Sequence, residues 1–223
     1  MTHTSRNFLR LIGEEKSPVV FPKFKQSVHS VSRNGSSFPV LLNINASPLA
    51  YERRWSIENF RMLAEFLVGR YGAHLYLTGT AEEASYVAEF LSGSTCKNSM
   101  TNTCGELSIE ELVSLMEECR FVVTNDSGPL HLASVLNVPT ICFFGPETPL
   151  RFGSLAAKQL TFYKSLWCSP CMTVSNLKTV HCINNRECMK QITFEETRSR
   201  ITRFVDELIA EESALTPAAH VTP

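Results

Sequence analysis

Apolar residues along this chain switch between two spacings, and the switches mark out its elements. Short apolar runs occupy 39–45, 74–79, 121–125 and 140–144, each bounded by polar or small residues. Runs of this length predict strands buried on both faces. Between them the spacing is helical. Ser56 stands as an N-cap, with Asn59 where a capping box carries Glu or Gln. Ile57, Phe60, Leu63, Ala64, Leu67 and Val68 then share one face until Gly72 ends the run. A second helix is predicted over 81–91. Ser108 and Glu111 form a capping-box pair ahead of Leu112, Leu115 and Met116. Pro129 opens a short helix to about 136, in a first turn where its missing N–H costs nothing. A last amphipathic helix begins near Thr193 and carries Phe194, Thr197, Ile201, Phe204, Val205 and Leu208.

Strands alternating with helices predict βαβ units, a parallel sheet and right-handed crossovers. The expected fold is a Rossmann-like α/β sandwich. The expected organisation is a lead-in over 1–38, one domain over 39–212, and an Ala-, Thr- and Pro-rich tail over 213–223 read as disordered. Hydrophobic residues make up 43% of the chain and charged residues 19%, so it can bury a core. A net charge of −1 argues against a broad nucleic-acid-binding surface. The first residues lack a signal-like apolar stretch, and no run approaches a bilayer span. The cytoplasm is therefore the expected compartment.

Ligands of open α/β sheets bind beyond the carboxyl ends of the strands. One such end reads Thr124-Asn125-Asp126-Ser127-Gly128-Pro129-Leu130-His131. A strand, a small-residue turn and a helix start form an anion site from free N–H groups and the helix dipole. The competing reading is that Asp126 and Ser127 only cap a helix and His131 packs nearby. Neither a Gly-x-Gly-x-x-Gly fingerprint nor a P-loop is present, which argues against a dinucleotide dehydrogenase and a P-loop NTPase.

Several landmarks follow in order. Asn45-Ala46-Ser47 leads through Arg53-Arg54-Trp55 into a helix. Then come Leu77-Thr78-Gly79-Thr80-Ala81-Glu82-Glu83, the Leu107–Leu112 segment, Asp126 to Ala133, and Phe143-Phe144-Gly145-Pro146-Glu147-Thr148-Pro149. In this order, over about 40–153, the chain resembles the C-terminal domain of glycosyltransferase family 9, the lipopolysaccharide heptosyltransferases. The resemblance implies one half of a two-domain GT-B architecture, the half that binds a nucleotide-sugar donor, ADP-heptose by family default. It implies that Asp126, Ser127, Gly128 and His131 hold the diphosphate and adjoining sugar. It further implies that Ser47 donates to a phosphate, that Arg53 or Arg54 neutralises it, and that Glu82 accepts from ribose or purine. Solvated surface charge is the other reading of Arg53 and Arg54, and a helix N-terminal carboxylate the other reading of Glu82. Trp55 reads as core or helix anchor.

Family 9 enzymes are similar to one another in placing acceptor binding and the general base in an N-terminal domain and in transferring the sugar by inverting displacement. Some 38 residues before the first strand are too few for that domain. A separately encoded N-terminal half is thus an implied partner, with a lipid-linked or glycan acceptor, at the cytoplasmic face of the inner membrane. A non-catalytic nucleotide-binding remnant, or a metal- or partner-binding protein on a transferase scaffold, is the alternative. No cofactor is required by the chemistry. Cys168-Ser169-Pro170-Cys171 with Cys182 and Cys188 could nonetheless form a structural Cys₄ zinc site, His181 being a substitute ligand. Reduced thiols are the other reading, because the second pair lacks knuckle spacing.

Overall fold

The computed structural model describes residues 38–176 and 180–215. Six parallel strands form one sheet: β1 (Pro39–Asn43), β2 (His74–Leu77), β3 (Met100–Asn102), β4 (Phe121–Asn125), β5 (Thr140–Phe144) and β6 (Gln159–Tyr163). Their order is β3-β2-β1-β4-β5-β6. The helices are α1 (Ile57–Tyr71), α2 (Ala84–Ser92), α3 (Ile109–Glu118), α4 (Gly128–Val135), α5 (Pro149–Phe152), α6 (Glu187–Lys190) and α7 (Phe194–Leu215). The Rossmann-like α/β expectation holds.

Successive strand residues point to opposite faces, and here both faces are covered. Val40, Leu42, Leu75, Val123 and Phe143 pack with Phe60, Leu63 and Leu67 of α1 and with Ile201 and Val205 of α7. Leu41, Tyr76 and Val122 face the other way, onto Leu115 and Met116 of α3 and Ala133 of α4. That double burial is why the four central strands read as unbroken apolar runs. The edge strands β3 and β6 escaped the sequence reading for the converse reason. Met100-Thr101-Asn102 is partly exposed throughout, and only Phe162 is buried in β6. One-sided neighbours permit polar residues, so neither strand carries a run.

Local signals set the helix ends. The Ser56 hydroxyl accepts from the Asn59 N–H at 3.2 Å, and Gly72 ends α1 in the left-handed region at φ 63°. Ser108 and Glu111 complete their reciprocal capping box on α3. The helix expected over 81–91 divides into a 3₁₀ turn, Ala81–Glu83, and α2, with Thr80 and Glu83 boxing the turn. α7 runs to Leu215. Of the expected lead-in over 1–38 only Phe38 is described; of the tail expected over 213–223, residues 213–215 belong to α7 and the rest lie outside the described residues.

Trp55 is core, as its sequence context suggested. It is fully buried, stacks on Phe143 at 3.8 Å between centroids, and meets Phe60 edge-on at 5.0 Å. Its indole N–H donates to the Ile192 carbonyl. Asn59 explains its departure from the capping box. Its amide donates to the Ile192 carbonyl at 3.4 Å and accepts from the Phe194 N–H at 2.9 Å, so it holds the start of α7 and leaves its own helix end alone.

Candidate functional site

The chain builds β1, β2 and β3 outward to one side, then returns so that β4 pairs with the free edge of β1. The strand order therefore reverses between β1 and β4. At that reversal the two connecting loops leave in opposite directions and open a crevice. A cleft of about 640 Å³ lies there. Its floor is formed by Asn43 and Asn45 after β1, Thr78 and Gly79 after β2, and Ser127 and Gly128 at the start of α4. Leu107, Ile109 and Leu112 supply apolar wall to the same cleft.

Of the residues singled out in the sequence, Ser47, Arg53, Glu82, Ser127 and Gly128 line this cleft. Ser47 is exposed, in the left-handed region at φ 42°. Arg53 reaches across from the β1 loop. Its Nη1 donates to the Asp126 carbonyl at 3.2 Å and lies 3.7 Å from the Asp126 carboxylate. Glu82 is exposed, and its carboxyl is held below the ordinary range chiefly by a hydrogen bond with Thr80. At Gly128 a Cβ would meet nothing within 4 Å, so the backbone there faces open space.

Three further residues sit close by but outside the lining. Asp126 is 2% exposed and turned toward Arg53, which suits it to orienting the loop. Arg54 lies over the Tyr86 ring at 4.4 Å and 3.9 Å from the Glu83 carboxylate. His131 is exposed on α4. Sequence reasoning missed Asn43, Asn45 and the apolar wall. The two asparagines ended an apolar run and read as strand termini, and Leu107, Ile109 and Leu112 read as ordinary helix-face residues.

Ser127 occupies the N-cap of α4 yet makes no side-chain cap bond. Its hydroxyl accepts instead from the Asn43 amide at 2.9 Å and lies 3.1 Å from the Thr124 hydroxyl. The first turn of α4 thus keeps N–H groups uncovered by its own cap. A positive helix end, a hydroxyl and a guanidinium share one space, and this suits an oligo-anion such as a diphosphate.

Comparison with known proteins assigns the chain to a family. Residues 10–181 match the model of glycosyltransferase family 9 (heptosyltransferase). The chain belongs to glycosyltransferase family 9. Lipopolysaccharide heptosyltransferase 2 of Escherichia coli K12 is 25% identical over 152 residues, which are 65% of this chain and 43% of that protein. Lipooligosaccharide heptosyltransferase 2 of Campylobacter jejuni is 28% identical over 172 residues, 74% of this chain and 50% of that protein. Among solved structures, E. coli ADP-heptose lipopolysaccharide heptosyltransferase II superposes with a TM-score of 0.64 at 22% identity, over 82% of this chain and 49% of that one. The glycosyltransferase family 9 protein of Veillonella parvula gives 0.59 at 24% identity, over 79% and 47%. The chain spans about half the length of the family 9 relatives it matches.

The cysteine cluster of this family 9 chain lines a different cavity from the cleft, in the segment between β6 and α7 that includes α6. Cys168, Cys171, Cys182 and Cys188 all line one cavity of about 20 Å³, close to the space one water needs. The Arg186 N–H donates to the Cys182 sulfur at 3.1 Å, and the Asn184 amide to the Cys168 sulfur at 3.5 Å. Burial, then the neighbouring thiols, push the Cys188 thiol up to about 11 and raise that of Cys171. The four sulfurs are free thiols, and no group of three or more Cys, His, Asp or Glu among the described residues is arranged to hold a metal ion. His181 is exposed and does not line the cavity. The Cys171 and Met172 N–H groups both donate to the Pro146 carbonyl at 2.9 Å, which pins this segment over the end of β5.

One glycine decides the cleft's shape. A Cβ on Gly79 would fall 2.6 Å from the Asn45 amide and 2.9 Å from the Cys104 sulfur, both buried. Gly79→Ala is expected to destabilise the fold by about 1–3 kcal/mol through overpacking and to displace Asn45. Urea denaturation checks the first effect, and the Asn45 backbone resonance checks the second.

Proposed function

We propose that this chain binds the nucleotide-diphosphate sugar of a glycosyltransferase, with ADP-heptose as the donor. The observation that carries this reading is the cleft at the strand-order reversal, where the start of α4, the Ser127 hydroxyl and Arg53 face the same space. Its two ends differ in character, as a nucleotide does. The diphosphate lies against Ser127, Gly128 and Arg53, and the nucleoside extends toward Glu82 and the apolar wall of Leu107 and Ile109. Asp126 neutralises part of the Arg53 charge, so the site holds an anion without a bare buried guanidinium. Solved relatives with the same fold support the ligand class. One is E. coli heptosyltransferase WaaC with ADP, and another is heptosyltransferase TibC in complex with ADP-D-β-D-heptose.

In this reading the acceptor is a lipopolysaccharide or related glycan, held by an acceptor-binding half that also brings the general base. A separately encoded N-terminal half is one source of it. The reaction takes place at the cytoplasmic face of the membrane that carries the acceptor; among the described residues no helix is long and apolar enough to cross it. Positioning donor and acceptor in line supplies about 7–11 kcal/mol of barrier reduction. The donor half by itself therefore binds but does not transfer.

A second reading concerns the loops below the cleft. Four thiols line one small cavity, and a structural Cys₄ metal such as zinc would require those loops to tighten onto the ion from an arrangement that does not hold one as it stands. Elemental analysis of chain purified without added metal is expected to give about one equivalent, lost in the Cys171→Ser, Cys188→Ser double variant. Metal content that is unchanged in that variant contradicts the reading.

The donor proposal is tested by calorimetric titration with ADP, UDP and GDP. ADP binds saturably, and Ser127→Ala and Arg53→Ala each weaken it by roughly 10-fold or more, the scale of a hydrogen bond to a charged group. Arg54→Ala, outside the lining, leaves it within about twofold. A folded wild-type chain that binds no nucleotide contradicts the proposal.

A further inference from the structure

We infer that Asn43 is a positioning residue for the bound anion: it turns the Ser127 hydroxyl away from its own helix and leaves that hydroxyl's proton for a phosphate oxygen. The inference rests on the donor-binding reading and adds to it a residue whose role lies in orienting another.

Asn43 is the last residue of β1, 2% exposed, and pairs in register with Thr124 of β4. Its amide has only one workable orientation. The Asn43 Oδ1 accepts from the Asn45 backbone N–H at 3.3 Å, and a backbone N–H can only donate. The NH₂ end, which also reaches the Asn45 carbonyl at 3.3 Å, must then face β4, where it lies 3.0 Å from the Thr124 hydroxyl and 2.9 Å from the Ser127 hydroxyl. Both are good donor distances. The Thr124 hydroxyl sends its own proton to the Asn125 carbonyl at 3.0 Å.

Ser127 is therefore supplied with a hydrogen by Asn43. Its remaining acceptors for its own proton within the chain are the Asn125 carbonyl at 3.3 Å and Thr124, whose proton is already committed, at 3.1 Å. Neither competes with an ionised phosphate oxygen, because charge-assisted bonds are about twice as strong as neutral ones. The second consequence concerns α4. An N-cap serine ordinarily accepts from the N–H of the second or third helical residue. Here the hydroxyl is drawn toward β1 and makes no such bond. Without the Asn43 amide, Ser127 is free to swing back, cap α4 and occupy the N–H groups that the anion would use.

The residue type matters as well. Aspartate has nearly the same shape but no N–H, so it would accept the Ser127 proton and put a negative charge beside the diphosphate. That change takes up the Ser127 proton and adds a negative charge while the packing is retained.

The test is a double-variant cycle on the full chain, read by titration with ADP, inorganic pyrophosphate and adenosine, with folding followed by thermal unfolding. Asn43→Ala is expected to weaken ADP and pyrophosphate by about 3- to 10-fold, the scale of one neutral hydrogen bond, and to leave adenosine unchanged. In a Ser127→Ala background the same substitution is expected to cost nothing further. Asn43→Asp, isosteric and available should the alanine variant fold poorly, is expected to weaken ADP more than Asn43→Ala does. Equal losses for adenosine and ADP, or a full loss that persists beside Ser127→Ala, would mean that Asn43 only supports the loop and would overturn the inference. So would ADP affinity that is unchanged in both variants. A wild-type chain that binds neither ADP nor pyrophosphate overturns the donor reading itself, and this one with it.

Discussion

One buried amide joins the parts on which the cleft depends. Asn125 closes β4 with no exposure to solvent. Its Oδ1 accepts from the Trp55 N–H at 2.9 Å, and its Nδ2 donates to the carbonyls of Ile44 and Asn45 at 3.0 and 3.1 Å. Three backbone groups from the β1 loop and the approach to α1 are thereby held by a single side chain. Left unpaired, each would carry the cost of a buried polar group, about 1–3 kcal/mol. The β1 loop brings Ser47 and Arg53 to the cleft, and Asn125 leads directly into Asp126, Ser127 and α4. The two walls of the cleft are consequently referenced to one atom group. Trp55 extends the same connection to Ile192 and so to the start of α7.

The sequence was most informative where burial is symmetric. The four central strands stood out because both faces of the sheet are covered, and α1 and α3 stood out through Ser56, Gly72 and the Ser108–Glu111 pair. β3 and β6 did not, because a strand with one neighbour can be polar without penalty. The site was legible in part. Ser127 and Gly128 follow from the rule that ligands gather at strand ends, and Arg53 from the ordered family landmarks. Asn43 and Asn125 were not legible, because a short polar residue at the end of an apolar run looks the same whether it ends a strand or organises two loops. Only their long-range hydrogen bonds, to residues some eighty positions away, distinguish the two cases. The convergence of the four cysteines on one cavity was hinted at by clustering, but not by spacing.

In the donor-binding reading, the cleft meets an anion with few cationic side chains. Arg53 is the cationic side chain that lines it, and Asp126 stands behind that guanidinium. The remaining polarity comprises two carboxylates, Glu82 and Glu83, both hydrogen-bonded at Thr80, and neutral groups: two asparagine amides, hydroxyls and the helix start. Neutral donors fixed by the fold need little rearrangement when an anion arrives, and they cost less to bury than unpaired charges. The groups that line the cleft come from the segments that follow β1, β2, β3 and β4.

The most direct test of the account is backbone NMR of the labelled chain titrated with ADP. The account requires shift changes concentrated at 43–54, 78–83, 105–112 and 126–131, which surround the cleft, while the cysteine loops at 168–188 stay still. Changes centred on those loops, or scattered without regard to the strand-order reversal, would contradict it.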